Sequence, residues 1–437
     1  MTTGGRALAG DAIRGGMREH PARREVVGEM HLRRWPELVA PGLIIHWLRI
    51  ADEEQKAGQR EALLSVPQAA GFEQRSGLRH LWGVLSDGVR FAWECHSEAS
   101  SLTFFIAADD PMLLRHPERL STLSEAVAMA EGLPGEIVRA TRMWIAADED
   151  AAGRAMAVMD FVGEELVSCL VGDGARLWSD FRIKQNGYGH VLVSAGVLTA
   201  GDLSRVLQRL QELGNYRNLA LLGLPVAQHY WPRLDRAEEE LRAIARDQVR
   251  AEVRDDDLLA RTSELSLELM SLATDASYRM SATAAYARLV EERLAELAVV
   301  PIRGFPSLVD FTQRRFLPAV RTCAAFSGRE DGLSVRAAQL TSLLRARIET
   351  RIENQNAQLL ASMERSSALQ LRLQQLVEGL SVVAVSYYAL GLLDKLLGGL
   401  EGVLPGMSGK AATAVLVVPV LLLTLLALRL MKKRVLH

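Results

Sequence analysis

The chain has 437 residues, enough for two or three folding units with cores of their own. Its 51 basic and 53 acidic residues nearly cancel, which excludes the strongly basic field typical of nucleic-acid-binding proteins. Three scattered cysteines (Cys95, Cys169, Cys323) with no CxxC pair exclude a disulfide framework and a thiolate zinc site, and suit a reducing compartment.

Residues 1–17 are rich in glycine and small side chains, carry Arg6, Asp11 and Arg14, and contain no apolar run. They read as a disordered leader and not a secretory signal, so the soluble part is expected in the cytoplasm. Residues 18–200 read as an α+β cytoplasmic domain. Strands are expected at 42–50, 90–95, 102–107, 135–146 and 189–195, which are short, β-branched or aromatic, and bounded by Gly, Pro or Asp. Helices are expected at 122–131 and 200–213, the second opened by Thr199 as N-cap. Gly172-Asp173-Gly174 and Gly187-Tyr188-Gly189 read as turns. No GxGxxG, Walker loop or nucleophile elbow is present, so neither nucleotide binding nor catalysis is expected.

Residues 201–375 are expected to form a helical stalk domain. No glycine or proline interrupts the chain between Pro232 and Pro301, which predicts one long helix or two broken near 255–257. A second such run covers 333–378, with Leu340, Leu344, Ile348, Ile352, Leu359, Met363, Leu369, Leu373, Leu376 and Leu380 at about the helical repeat. The stripe needs a partner, either the 233–300 helix or another subunit. This run leads straight into the first of two apolar segments.

Residues 376–430 are expected to form a transmembrane hairpin. The stretch 411–428 is uncharged between Lys410 and Arg429 and close to the roughly 20 residues that cross a hydrocarbon core. The stretch 379–393 is shorter, near the length of a buried core helix, but Leu396, Leu397 and Leu400 extend its apolar surface. Its small residues, among them Gly379, Ser381, Ser386 and Gly391, suit close helix packing in lipid. The tail at 431–437 is basic, and with Arg429 it outweighs the Lys395 and Lys410 of the connecting turn. Both termini are therefore expected in the cytoplasm.

Candidate chemistry is sparse. On a strand through 91–98, alternation would put Glu94, His96 and Glu98 on one face, and Glu29 and His31 form a second Glu-x-His pair. Such a cluster could ligate zinc, manganese or iron; a half-exposed antiparallel strand shows the same alternation. No cofactor is expected beyond such a divalent metal. Asp394 and Glu401, set among Gly398, Gly399, Gly402 and Gly406, could form an acidic ring at a pore mouth in a cyclic assembly, or Asp394 with Lys395 could simply mark the water interface.

Several stretches resemble a bacterial family of uncharacterised membrane-anchored proteins, classed as a domain of unknown function. They are His20-Pro21; Arg90-Phe91-Ala92-Trp93-Glu94-Cys95-His96-Ser97-Glu98; Pro134-Gly135-Glu136-Ile137-Val138; Ser179-Asp180-Phe181-Arg182-Ile183; Tyr216-Arg217-Asn218-Leu219-Ala220-Leu221-Leu222-Gly223-Leu224-Pro225; and Gln374-Gln375-Leu376-Val377-Glu378-Gly379-Leu380-Ser381. The family pattern Asn-Glu-Leu-His-Ala-Arg-Pro meets Gly28-Glu29-Met30-His31-Leu32-Arg33-Arg34 here, which keeps the Glu and the His. The resemblance implies a membrane-anchored architecture in a bacterial inner membrane and implies no activity. In outline the chain also resembles CorA-type magnesium channels, although their Gly-Met-Asn signature has only Gly406-Met407-Ser408 as a counterpart, ahead of the second apolar segment.

Together these features suggest a membrane-anchored oligomer whose cytoplasmic domain binds a protein partner or senses a ligand, without identifiable catalysis. The alternatives are a CorA-like divalent cation channel or transporter and, third, a metal-dependent enzyme at the membrane. The lipid bilayer and further copies of the chain are the expected partners; nucleic acid is not.

Overall fold

A computed structural model of the protein describes residues 20–23, 26–27, 35–66, 69–71, 79–85, 89–250, 252–400 and 409–435. Packing divides it into two units, one built from residues up to Arg246 and Thr262–Ala338, the other from Asp247–Arg261 and the chain from Gln339 onward.

The first unit is organised around a strand with no polar face. In β1 (Gly42–Ile50) all but the last residue is buried, so the sheet containing it needs cover on both sides. The remaining strands are β2 (Ala69–Gly71), β3 (His80–Val84), β4 (Arg90–Cys95), β5 (Ala99–Ala107), β6 (Glu136–Ala146), β7 (Val167–Val171), β8 (Ala175–Ser179), β9 (Gly189–Ser194) and β10 (Val300–Pro301). They form one ten-stranded sheet in the order β10-β7-β8-β9-β6-β1-β5-β4-β3-β2. Only β6 and β9 pair in parallel, Thr141 opposite Gly189. The expected strands match β1, β4, β6 and β9 within a residue or so, and the expected turn at Gly172 and Asp173 joins β7 to β8 with positive φ at both residues.

Alternation along β1 distributes its side chains to two cores. Leu43, Ile45 and Trp47 pack with Leu63 of α1 (Glu53–Leu64), Leu123 and Val127 of α2 (Ser121–Glu131), and Ala155 and Met159 of α3 (Glu149–Met159). Ile44 faces the other side, with Leu203, Leu207 and Leu210 of α4 (Ala200–Leu221) and Ala287 and Val290 of α6 (Asp255–Glu296). Thr199 caps α4 as expected, accepting from the Asp202 backbone N–H at 3.2 Å.

The boundary expected at residue 200 is therefore not a boundary. The second face of the sheet would be bare without α4 and α6, and β10 closes the edge beside β7. The stretch without glycine or proline resolves into two helices, α5 (Gly223–Asp247) and α6, the second opening at the three aspartates 255–257, whose charge suits a helix N-terminus. After a helical turn at Leu308–Phe311 and a π-helical turn at Thr312–Phe316, α7 runs unbroken over Leu317–Leu400. The division expected at residue 375 thus falls inside a helix.

In the second unit Asp255 is buried and ion-paired to Arg351 at 2.5 Å and Arg347 at 3.7 Å. From 352 to 377 every residue of α7 is exposed. The apolar end of α7 then meets α8 (Gly409–Val435): Ser386 and Thr424 hydroxyls lie 2.6 Å apart, and Thr413 donates to the Asp394 carboxylate at 2.9 Å. Val382 and Ser386 are the positions this contact buries.

Trp47 ties the first of these cores together. It is fully buried, stands edge-on to Phe104 at 5.0 Å and donates from Nε1 to the Tyr188 hydroxyl at 3.0 Å. Trp47→Ala is expected to lower unfolding free energy by about 3–5 kcal/mol, a large share of an ordinary domain's stability, as read by denaturant titration.

Candidate functional site

Of the sequence-derived candidates, Glu94, His96, Glu98 and Asp394 fall among the described residues. Glu29, His31, Glu401 and the Gly406-Met407-Ser408 counterpart lie outside the described residues. β4 ends at Cys95, and His96–Glu98 turn into β5, with the His96 N–H bonded to the Ala99 carbonyl at 2.8 Å, so the two-residue alternation does not reach Glu98. Glu94 sits beside His80 at 3.8 Å. Glu98 is gripped by Arg279 through both guanidinium nitrogens, with the Tyr278 hydroxyl at 3.2 Å. Among the described residues no group of three or more His, Cys, Asp or Glu side chains is placed to hold a metal ion. Tyr387 and Tyr388 point outward, about three-quarters exposed.

What the fold does assemble is a cavity of about 300 Å3 at the β6–β9 pairing, where α4 crosses the sheet and the π-helical turn closes over it. Its interior holds two arginines, Arg139 from β6 and Arg217 from α4. Arg139 donates from Nη1 to Gln211 Oε1 at 2.6 Å and to Asn215 Oδ1 at 2.9 Å. The Arg217 guanidinium lies over two aromatic rings, 4.5 Å from Phe181 and 5.0 Å from Phe311, which are themselves stacked at 4.3 Å. Burial brings Arg139 down to about 9, with the like charge of Arg217 adding to the effect, and burial alone brings Arg217 down to about 10. Among the described residues no carboxylate counters either shift.

The backbone around the cavity is unusual in two places. Phe181 has φ +52°, the left-handed region that a bulky side chain seldom enters. Thr312–Phe316 is π-helical, and it contributes Arg315 and Phe316 to the lining. Gly214 makes room for Arg139: a Cβ there would lie 2.5 Å from the guanidinium carbon. At the rim Arg182 is neutralised by Glu165, while Arg315 is exposed.

Behind Arg139 a polar chain runs into the core. Asn215 Oδ1, fixed as an acceptor by Arg139, lies 2.9 Å from His46 Nε2, and His46 Nδ1 lies 2.8 Å from the Thr103 hydroxyl. This arrangement fits a neutral imidazole with the proton on Nε2, and burial together with the Arg139 charge holds the His46 pKa well below its usual value. None of these residues was a candidate from sequence. The available signal was an arginine inside each of two elements that are otherwise largely buried, and no local spacing links positions 46, 139, 181, 217 and 311.

Fold and site together define an α+β protein with a basic cavity and two helices, Leu308–Gly399 and Thr413–Leu430, each containing a stretch long and apolar enough to cross a membrane. The chain belongs to the DUF3422 family of proteins of unknown function, whose profile matches residues 18–435. No curated protein and no solved structure matches it, so the outline likeness to CorA-type channels gains no support.

Two outcomes follow from the His46–Arg139 chain. Burial keeps both His46 and His190 below their usual 6.5. The unfolded chain therefore binds protons that the folded one refuses, and the stability these groups preserve above pH 6.5 is lost as pH falls below it. His46→Gln is expected to flatten that loss, measured as unfolding free energy at about pH 7.5 and about pH 5.5. Gly214→Val is expected to displace Arg139 and cost about 1–3 kcal/mol, read from the denaturation midpoint.

Proposed function

We propose that this protein is a membrane-anchored oligomer whose α+β unit is a ligand-binding, sensing module. The observation that carries the reading is the join in the second unit: a helix exposed on every side over 352–377 continues into an apolar helix clasped to α8 through Ser386 and Thr424. Hydroxyls paired between two helices whose outer faces are Val, Leu and Tyr suit a lipid surrounding, where polar groups must find partners within the protein.

The exposed stretch supports self-association. Leu369, Leu373, Leu376 and Leu380 recur four, three and four residues apart and are each well over half exposed. A single helix with such a seam is unstable in water, and a second copy of the seam is the simplest cover. Tyr387 and Tyr388 extend the uncovered surface into the apolar segment. The basic residues after Leu428 support an inner C-terminus, and with two spans the reading puts the soluble unit and both termini in the cytoplasm. The cavity around Arg139 and Arg217 gives that unit a place to receive a small molecule.

Full-length protein is expected to stay with membranes in alkaline carbonate, and reporters at either end to be active only in the cytoplasm. Leu373→Cys is expected to cross-link between chains several-fold faster than Gln375→Cys on the opposite face. Release by carbonate, an external C-terminal reporter, or equal cross-linking at the two positions would each refute its part of the reading.

A further inference from the structure

We infer that the Arg139–Arg217 cavity is the binding site for a small oxyanion, a carboxylate or phosphate group carried on a compact organic body. The inference rests on the reading of the α+β unit as a ligand-binding module and names the class of ligand. Two partly buried guanidinium groups lie within reach of each other's charge, and their partners are neutral: two side-chain amides and a stacked pair of rings. Removing a cation from water costs several kcal/mol, which amide and aromatic contacts offset only in part. Elsewhere in this unit, partly buried arginines have carboxylates: Arg279 has Glu98, Arg293 has Glu212, and Arg329 has Glu238. The more deeply buried Arg49 and Arg142 donate instead to the backbone carbonyls of Ala130 and Leu114; what sets Arg139 and Arg217 apart is that both line one hollow.

The hollow suits an anion in shape as well as charge. Both Arg139 bonds leave from Nη1, so a five-donor fork keeps donors for a ligand. A planar fork presented to a cavity is the geometry that binds carboxylate or phosphate oxygens in pairs. The walls from Ile137, Val138 and Leu221 are apolar, with Asn218 as a further polar contact. A volume of about 300 Å3 is at the small end of ligand sites, which limits the body attached to the anion. Arg315 at the mouth adds positive potential along the approach.

The backbone points the same way. A left-handed phenylalanine and a π-helical turn each cost free energy that the surrounding structure has to hold, and such features concentrate where a site needs particular groups in place. Here they set the two rings beneath Arg217 and bring Arg315 to the rim.

The test uses the full chain in detergent, titrated with glycerol 3-phosphate, inorganic phosphate and succinate against sodium chloride at matched ionic strength. At least one oxyanion is expected to bind at one per chain and raise the melting midpoint, while chloride does neither. Arg139→Met and Arg217→Met are each expected to weaken binding about tenfold or more. Without ligand, Arg217→Met is expected to melt no lower than the parent, because it removes an uncompensated charge. A preference among the three probes separates phosphate from carboxylate ligands. The inference is overturned if no oxyanion differs from chloride, if Arg217→Met keeps parental affinity, or if it melts lower without ligand and Arg217→Lys restores it. A protein that resists carbonate yet ignores every oxyanion would lose this ligand class while keeping its membrane anchor.

Discussion

The architecture depends on a sheet whose central strands have no face to offer to water. Leu43, Ile45 and Trp47 on one side of β1 and Ile44 and Leu48 on the other oblige the chain to return twice with helices, once from 53–64, 121–131 and 149–159 and once from the region beyond residue 200. That second return draws α4, the later part of α6 and the turn at 308–316 into the first unit. The Arg139–Arg217 cavity is a by-product of the same demand. It lies where a helix crossing the sheet meets the one parallel strand pair, β6 with β9, and the layers do not close completely.

Polar residues inside this apolar frame are organised and not scattered. His46 occupies the middle of the most buried strand, yet its two ring nitrogens face Thr103 and Asn215, and Asn215 in turn receives Arg139. Buried polar groups are tolerable only when satisfied, and this chain of bonds extends from the sheet interior to the cavity wall. A charge placed in the cavity therefore acts on Arg139 and, through one amide, on the neutral imidazole of His46.

The second unit follows different physics. Beyond the Asp255 ion pairs with Arg347 and Arg351, α7 has no side-chain cover until its apolar end meets α8. Lone helices are weak in water, and apolar helices clasped by hydroxyl pairs are suited to lipid. The exposed leucines of α7 and the outward tyrosines are the surfaces for which the isolated chain supplies no cover.

Local patterns carried much of this from sequence alone. β1, β4, β6 and β9, the Thr199-capped helix, the Gly172–Asp173 turn, the break before Asp255 and the two apolar helices were all legible, because each is set by periodicity, capping or turn chemistry within a few residues. The strand through 91–98 is shorter than alternation suggests: it stops at Cys95, since the hydrogen bond from His96 to Ala99 reverses the chain before Glu98 can come into line. Beyond the reach of any local pattern were the extent of the first unit, the pairing of β10 with β7, and the meeting of Arg139, Phe181, Arg217 and Phe311 around one hollow. These depend on which helix covers which face of the sheet, a choice made by the whole buried surface at once. Sequence by itself determined the elements and the apolar C-terminal helices; only tertiary packing decided where two cations would be left together without a counter-charge.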